Sequence, residues 1–85
     1  MTPKDNIVYF NGELKPENQV GISIRDRGYL YGDAVFDATR TFNGTPFKLG
    51  QHIHRLYDSL RYLRINVGME ESEMERWSRE VVEHN

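Results

Sequence analysis

The sequence predicts an α+β domain in which a small antiparallel sheet, built from hairpins, is combined with two helices. Two Asn-Gly dipeptides, at residues 11–12 and 43–44, each follow a β-branched or aromatic run, which is typical of two-residue hairpin turns. From residue 50 onward the apolar period changes from two to about 3.6, which indicates amphipathic helices. A length of 85 residues leaves room for one small domain.

The first hairpin is predicted from residues 7–10, which are expected to pair with residues 13–15 around the first Asn-Gly turn. Pro16 ends this pairing, because proline has no amide hydrogen to donate. Residues 20–24 alternate apolar side chains with other types. This alternation predicts a short strand or an extended segment with one face packed inward.

A capped turn and the longest predicted strand follow. The carboxylate of Asp26 is expected to cap a short helical turn that ends before Gly32. Residues 34–42 predict a strand in which Phe36, Ala38 and Arg40 share one face, while the odd-numbered side chains share the other. The second Asn-Gly turn should return the chain as residues 45–48.

The last part of the chain predicts two helices. Apolar side chains at steps of three and four between residues 50 and 65 form one core-facing stripe, which consists of Ile53, Leu56, Leu60 and Leu63. Residues 66–68 are expected to end this helix, because glycine is favoured just past a helix C-terminus. A second helix is expected to begin near Glu70 or Ser72. Its stripe of Met74, Trp77 and Val81 indicates core or domain contact rather than a binding motif.

Composition excludes several classes of partner. The net charge of −2 provides no basic stripe for a phosphodiester backbone, so no nucleic-acid partner is expected. The polar residues 1–6 are followed by only four apolar or aromatic residues, too few for a signal peptide or a membrane span. No membrane association is therefore expected, and the cytoplasm is the predicted location.

No metal site is expected either. The chain has no cysteine, which excludes disulfides and thiolate ligands. His52 and His54 are two residues apart on the predicted helix, so their side chains point about 200° apart and cannot hold one ion together.

The stretch from Asp26 to Arg40 has the composition of a site wall. Gly28 and Gly32 allow bends and close approaches that a side chain would prevent. The two tyrosines between them each bring a flat apolar ring and one hydroxyl, which suits a polar small molecule. The alternative interpretation is a tight turn capped by core aromatic residues.

A family resemblance favours the first interpretation. Residues 27–40, Arg-Gly-Tyr-Leu-Tyr-Gly-Asp-Ala-Val-Phe-Asp-Ala-Thr-Arg, resemble the signature near the start of fold-type IV pyridoxal-phosphate-dependent aminotransferases. That family includes branched-chain and D-amino-acid aminotransferases. The similarity extends upstream to residues 9–13 and downstream to residues 47–59, so it covers residues 7 to about 65. Several separate motifs in one order make a specific match.

The resemblance implies that residues 1–85 are the N-terminal, small domain of a larger enzyme with the D-amino-acid aminotransferase-like fold. Similar enzymes are homodimers that bind pyridoxal 5'-phosphate (PLP). Their catalytic lysine, which holds PLP as a Schiff base, lies in a C-terminal domain beyond residue 85. The three lysines here, Lys4, Lys15 and Lys48, do not match it, so these 85 residues alone are expected to be inactive.

Arg55 is the predicted cofactor-binding residue. Its guanidinium presents a rigid fork of donors that matches phosphate oxygens. Residues 52–56, His-Ile-His-Arg-Leu, match the family motif His-x-x-Arg-Leu, and the resemblance implies that this arginine contacts the phosphate of PLP. The alternative is an exposed helix arginine paired loosely with Asp58 or Ser59.

Tyr31, Phe36 and Arg40 are the predicted substrate-binding residues, because the resemblance places them in the part of the signature that lines the substrate pocket. Tyr31 would offer a hydroxyl, Phe36 an apolar wall and Arg40 a charge for a carboxylate. Each also has a structural alternative, as a core aromatic residue or a charge at a strand edge. Branched-chain enzymes usually carry Glu-Gly where this chain has Asp37-Ala38. Alanine in place of glycine adds a methyl group to the face of Phe36 and Arg40, so the width of the pocket, and with it the substrate subgroup, is undecided.

Three functions therefore remain open. The first is transfer of an amino group from a branched-chain amino acid, a D-amino acid or an amine to a 2-oxo acid. The second is an aminodeoxychorismate lyase-like reaction, in which the same cofactor serves to eliminate pyruvate. The third is a non-catalytic module for dimerisation or binding.

Overall fold

The computed structural model describes residues 6–85 and confirms the α+β class. The prediction that the polar N-terminus is not a signal peptide concerns residues 1–6, of which residues 1–5 lie outside the described part. The elements, in chain order, are β1 (Ile7–Phe10), β2 (Glu13–Pro16), a 3₁₀ turn (Glu17–Gln19), α1 (Arg27–Tyr31), β3 (Thr41–Phe42), β4 (Thr45–Pro46), α2 (Leu49–Leu63) and α3 (Glu71–His84).

Both predicted hairpins form. At the first turn Asn11 and Gly12 have φ angles of 49° and 90°, and β1 pairs antiparallel with β2 from Phe10 and Glu13 outward. At the second turn Asn43 and Gly44 have φ angles of 52° and 77°. Two consecutive positive φ angles match the right-handed twist of the flanking strands. The hairpins form two separate two-stranded sheets among residues 6–85, instead of one shared sheet.

The predicted strand over residues 34–42 is wrong in length, since only Thr41 and Phe42 are in a strand. One further hydrogen bond, from the Phe47 amide to the Arg40 carbonyl, extends the pairing at 2.7 Å. The return chain then turns away, because Lys48 adopts a left-handed φ of 53° and α2 begins at Leu49. Residues 34–39 remain extended with no strand beside them in the described part of the chain. Their side chains still alternate between the inside and the outside.

The segment before α1 also differs from its prediction. Residues 20–23 form no strand. Ile22 and Ile24, which were expected to pack inward, are exposed among residues 6–85. An alternating pattern creates a buried face only where another element covers it. The capped turn is confirmed. The Gly28 amide donates to an Asp26 carboxylate oxygen at 2.8 Å, and Gly32 ends α1 with a φ of 73°.

Helix α2 is confirmed but ends earlier than predicted. It stops at Leu63 because Arg64 takes the left-handed conformation, with a φ of 58°. The amides of Arg64 and Ile65 then donate back to the carbonyls of Arg61 and Leu60. These two bonds close the last turn in the geometry usually given to glycine. The last helical residue, Leu63, lies five positions before Gly68 and two before the predicted helix end at residue 65.

The core lies between the two long helices and the first hairpin. Leu49, Ile53 and Leu60 of α2 are buried among the described residues. The predicted α3 stripe is half-buried, and the Trp77 ring lies 4.7 Å from the Tyr9 ring of β1, centroid to centroid. The contact between Tyr9 and Trp77 therefore supports the prediction that the α3 stripe packs in the core. The Asn85 amide group both donates to and accepts from the Ile7 backbone at 2.8 Å, which ties the end of α3 to β1.

Candidate functional site

The best-defined polar site in residues 6–85 joins α2 to the extended segment before β3. Arg55 lies on α2, on the side away from the buried stripe, and its guanidinium makes two hydrogen bonds to Asp37. The Nε–Oδ2 distance is 2.7 Å and the Nη2–Oδ1 distance is 2.8 Å. The Arg55 side chain is 65% exposed, whereas the Asp37 side chain is only 11% exposed. A sheltered carboxylate thus holds an accessible guanidinium by two parallel bonds.

His52 completes this group. It lies one helical turn before Arg55, and its Nδ1 atom is 2.9 Å from Asp37 Oδ1 and 3.0 Å from Arg55 Nη2. A guanidinium can only donate hydrogen bonds and an ionised carboxylate can only accept them. An unprotonated Nδ1 could accept from Arg55 but would turn its lone pair toward the Asp37 carboxylate, so we assign the tautomer in which Nδ1–H of His52 donates to Asp37. Asp37 therefore accepts three hydrogen bonds from two side chains of α2.

The charges in this group stabilise each other. Hydrogen bonding from Arg55, followed by that from His52, holds the pKa of Asp37 well below its usual range. The hydrogen bond to Asp37 in turn raises the pKa of Arg55 above its ordinary value. Asp37 is therefore an anion, and Arg55 a cation, throughout the physiological pH range.

The Arg55–Asp37 pair leaves part of the guanidinium available. The bonds to Asp37 use Nε and Nη2, and no described residue bonds to Nη1. Arg55 also borders a shallow cavity of about 420 Å³, together with Val35, Ser59 and Tyr62. A largely exposed guanidinium that is held by a carboxylate through two of its nitrogens, with the third unused by the described residues, suits an anion such as a phosphate.

The three predicted substrate residues lie on exposed surfaces. Tyr31 ends α1, and the Arg27 guanidinium lies 5.2 Å from its ring centroid. Phe36 is 91% exposed, and Arg40 is exposed as well. Phe36 and Arg40 lie on the face opposite to Asp37, as the predicted alternation requires. No hydrogen bond within residues 6–85 joins any of these three side chains to Arg55.

Asp37 and His52 were not predicted as site residues. The sequence contains a signal for Asp37, because the alternation places an acidic side chain on the inward face, where it needs a cationic partner. The alternative proposed for Arg55, a loose pair with Asp58 or Ser59, is not what the structure contains. Asp58 instead pairs with Arg61 and His54.

The two α2 histidines diverge as their spacing predicts. His52 contacts Asp37, whereas His54 contacts Glu71 of α3, with 3.2 Å between Nδ1 and Oε2. No group of three potential metal ligands is found among residues 6–85. Within the same residues, no helix combines the length and apolar character that crossing a membrane requires.

The family model described as amino-transferase class IV matches residues 34–85, which include Asp37, His52 and Arg55. The chain belongs to the class IV aminotransferase family. The resemblance read from the sequence is thereby confirmed.

Several curated proteins are similar to most of this chain. D-alanine aminotransferase of Bacillus licheniformis is 38% identical over 78 residues, which are 92% of this chain and 28% of that protein. A Methanocaldococcus jannaschii protein, provisionally named a branched-chain-amino-acid aminotransferase, is 42% identical over 79% of this chain and 23% of that protein. Aminodeoxychorismate lyase of Bacillus subtilis is 37% identical over 80% of this chain and 23% of that protein. The chain thus spans about a quarter of the length of these relatives.

Proposed function

We propose that this chain is the N-terminal part of a PLP-dependent aminotransferase, which transfers an amino group from an amino acid to a 2-oxo acid. The observation that carries the proposal is the class IV match over residues 34–85, a stretch that includes the Arg55 guanidinium fixed by Asp37. Relatives named as aminotransferases that cover 79% to 92% of the chain support it.

Arg55 is the residue of this chain that would hold the cofactor. Its exposed guanidinium, whose Nη1 atom makes no hydrogen bond to a described residue, fits a phosphate ester. When bound, PLP supplies an electron sink for bond breaking at the amino-acid Cα. The lysine needed to hold PLP covalently belongs to the proposed C-terminal domain, because none of Lys4, Lys15 and Lys48 matches the catalytic position of the family. The 85 residues alone would then be inactive.

Tyr31, Phe36 and Arg40 form the proposed substrate wall. The exposed faces of Phe36 and Arg40, on the side of the segment opposite to Asp37, support this role. A carboxylate would pair with Arg40, and an apolar side chain would contact Phe36. Ala38 stands between them on the same face and limits the space there. The proposed donors are D-amino acids or branched-chain amino acids, and an amine remains an alternative.

The proposed assembly is a homodimer located in the cytoplasm. The chain's own C-terminal domain and a second subunit would cover the exposed apolar side chains, among which Phe36 is 91% and Tyr62 is 87% exposed. Small-molecule amino acids and 2-oxo acids are the proposed partners. Neither nucleic acid nor a membrane is proposed.

A second candidate is an aminodeoxychorismate lyase-like reaction, which uses the same cofactor to release pyruvate. The 37% identity to the lyase of Bacillus subtilis favours keeping it. A non-catalytic dimerisation or binding module is the remaining alternative, and a protein that does not bind PLP would favour it.

The first test is PLP binding by the full-length protein, followed by assays for both reactions. We expect a change in PLP absorbance on binding, and an approximately 100-fold weaker affinity in Arg55→Ala, since charged hydrogen bonds to the phosphate are lost. Arg79→Ala is the matched control, because Arg79 is a paired arginine on α3, away from Arg55. Formation of a 2-oxo acid from D-alanine or a branched-chain amino acid would support the transferase. Pyruvate from aminodeoxychorismate alone would favour the lyase.

A further inference from the structure

We propose that Asp37 and His52 are positioning residues, which hold Arg55 so that its Nη1 atom is presented to the phosphate group of the cofactor. The inference rests on the proposed function in one respect, namely that Arg55 binds the phosphate. It goes beyond that function by assigning roles to two side chains that do not themselves touch the cofactor.

The geometry supports a fixed guanidinium. An arginine on a helix surface normally samples many rotamers, and ordering it costs conformational entropy at the moment when a ligand binds. The two parallel bonds to Asp37 fix both the position and the plane of the Arg55 fork. Because Arg55 is held by a side chain of the protein itself, we infer that the entropy of ordering it is lost on folding rather than on phosphate binding.

Asp37 is in turn fixed from a second direction. Its side chain is 11% exposed, and Nδ1 of His52 lies 2.9 Å from its Oδ1 atom. His52 and Arg55 lie three residues apart on the same face of α2, so both bind the same carboxylate. The carboxylate belongs to the segment that carries Phe36 and Arg40 on its other face. One residue thus connects the proposed phosphate anchor to the proposed substrate wall.

Asp37 has two opposite effects on an anion bound at Arg55. Its negative charge opposes the binding of a second anion, whereas its hydrogen bonds favour binding by orienting the donors. The Arg55 side chain is 65% exposed, so water screens the charge effect strongly. We therefore expect the orienting effect to be larger, and the affinity for phosphate esters to fall when Asp37 is neutralised.

The test compares the affinities of two ligands, PLP and pyridoxal, for the full-length protein from which PLP has been removed. Pyridoxal lacks the phosphate group, so an effect that passes through Arg55 changes the affinity for PLP alone. Asp37→Asn keeps the side-chain volume and removes the charge. Glu75→Gln is the matched control, because Glu75 is also paired with an arginine but lies on α3. Melting temperatures of all variants report on folding.

The expected result is an approximately 10-fold loss of PLP affinity in Asp37→Asn, comparable to the loss of other residues that orient a binding group. The affinity for pyridoxal and the Glu75→Gln control should each change by less than about two-fold. Because Asp37 acts through Arg55, adding Asp37→Asn to Arg55→Ala should cause no further loss of PLP affinity.

His52 provides an independent variant if Asp37→Asn does not fold. His52→Leu removes one donor and leaves the Arg55–Asp37 bonds in place, so PLP affinity is expected to fall by about three-fold. His52→Asn keeps a donor close to the Nδ1 position and should restore the affinity.

Three results separate the possible failures. If Arg55→Ala weakens PLP binding while Asp37→Asn leaves it unchanged, tightens it or weakens both ligands equally, the positioning role is overturned. If Arg55→Ala has no effect, the phosphate role of Arg55 is overturned. If the wild-type protein binds neither ligand, the proposed function itself fails.

Discussion

The ionised form of Asp37 is more favourable in the folded protein than in the unfolded chain. In the folded protein the carboxylate accepts hydrogen bonds from Arg55 and His52, and its pKa lies well below the usual range. A lowered pKa stabilises the folded state at every pH at which the group is ionised in both states. That contribution is present above the unfolded pKa of about 3.9 and is lost as the pH falls below it toward the folded pKa.

A pH-dependent stability difference follows for Asp37→Asn. The melting temperature of the wild-type protein should exceed that of the variant at neutral pH, and the gap should narrow as the pH falls below about 4. Thermal unfolding of both proteins between neutral and acidic pH measures this gap. Glu75→Gln, which alters an exposed ion pair, should produce a small gap that varies little. A constant difference for Asp37→Asn would contradict the linkage between its ionisation and folding.

Of the three residues in the candidate site, only Arg55 was predicted, and that prediction came from the family resemblance. Arg55 could be found because a local motif, His-x-x-Arg-Leu, marks it. Its partner Asp37 lies 18 residues away in the chain, and the pairing depends on the segment before β3 lying against α2. No spacing rule for a helix or a strand links two positions so far apart.

At the scale of elements, α2 is the scaffold of the candidate site. One face carries the buried Ile53 and Leu60, and another carries His52 and Arg55. Packing of the buried face against α3 therefore fixes the direction in which the polar face points. Lost packing would move Arg55 even though no polar contact is altered.

Leu60→Ala tests this coupling between the core and the site. The substitution should cost about 2–5 kcal/mol of folding free energy, since it leaves a cavity in a small core. Urea unfolding of the full-length protein measures the cost, and PLP titration measures the effect on binding. Gln51→Ala, an exposed position on the same helix, is the control and should change the free energy by less than about 0.5 kcal/mol. Equal effects at the two positions would contradict the packing described for α2.

At the scale of the whole molecule, residues 6–85 have little core and much exposed apolar surface. Only Leu49, Ile53 and Leu60 are buried within this part of the chain. Several large apolar side chains are exposed, including Ile22, Ile24, Tyr29, Tyr31, Phe36 and Tyr62. A domain of this size is marginally stable even with a full core. In the proposed larger enzyme, other protein surface would cover these exposed residues.

The isolated chain of 85 residues should therefore bind a hydrophobic dye and unfold without a sharp transition. The full-length protein should bind little dye and unfold in a sharp transition. Dye fluorescence and thermal unfolding of both proteins measure the difference. An isolated chain that carries Phe36→Ser and Tyr62→Ser should bind less dye, which shows whether the named surface is responsible. A cooperative, dye-free isolated chain would contradict the expectation.

The sequence by itself determined the features that depend on neighbours along the chain. Both Asn-Gly turns, the Asp26 cap and the existence of the two long helices follow from backbone preferences and from the period of apolar residues. The family signature likewise lies in contiguous stretches. Each of these signals acts over a few neighbouring residues, so the amino-acid sequence is sufficient to predict it.

Only the tertiary structure decided which distant groups meet. Residues 34–39 alternate like a strand, yet they form none in the described chain, because the return segment turns into α2 after Phe47. Helix α2 ends at Leu63, and the left-handed residue that follows it is Arg64 rather than a glycine, since two backbone bonds there satisfy the carbonyls of the last turn. Asp37, Arg55 and His52 likewise form one group because the segment before β3 lies against α2. Long-range pairing depends on where whole elements pack, and no local preference specifies that.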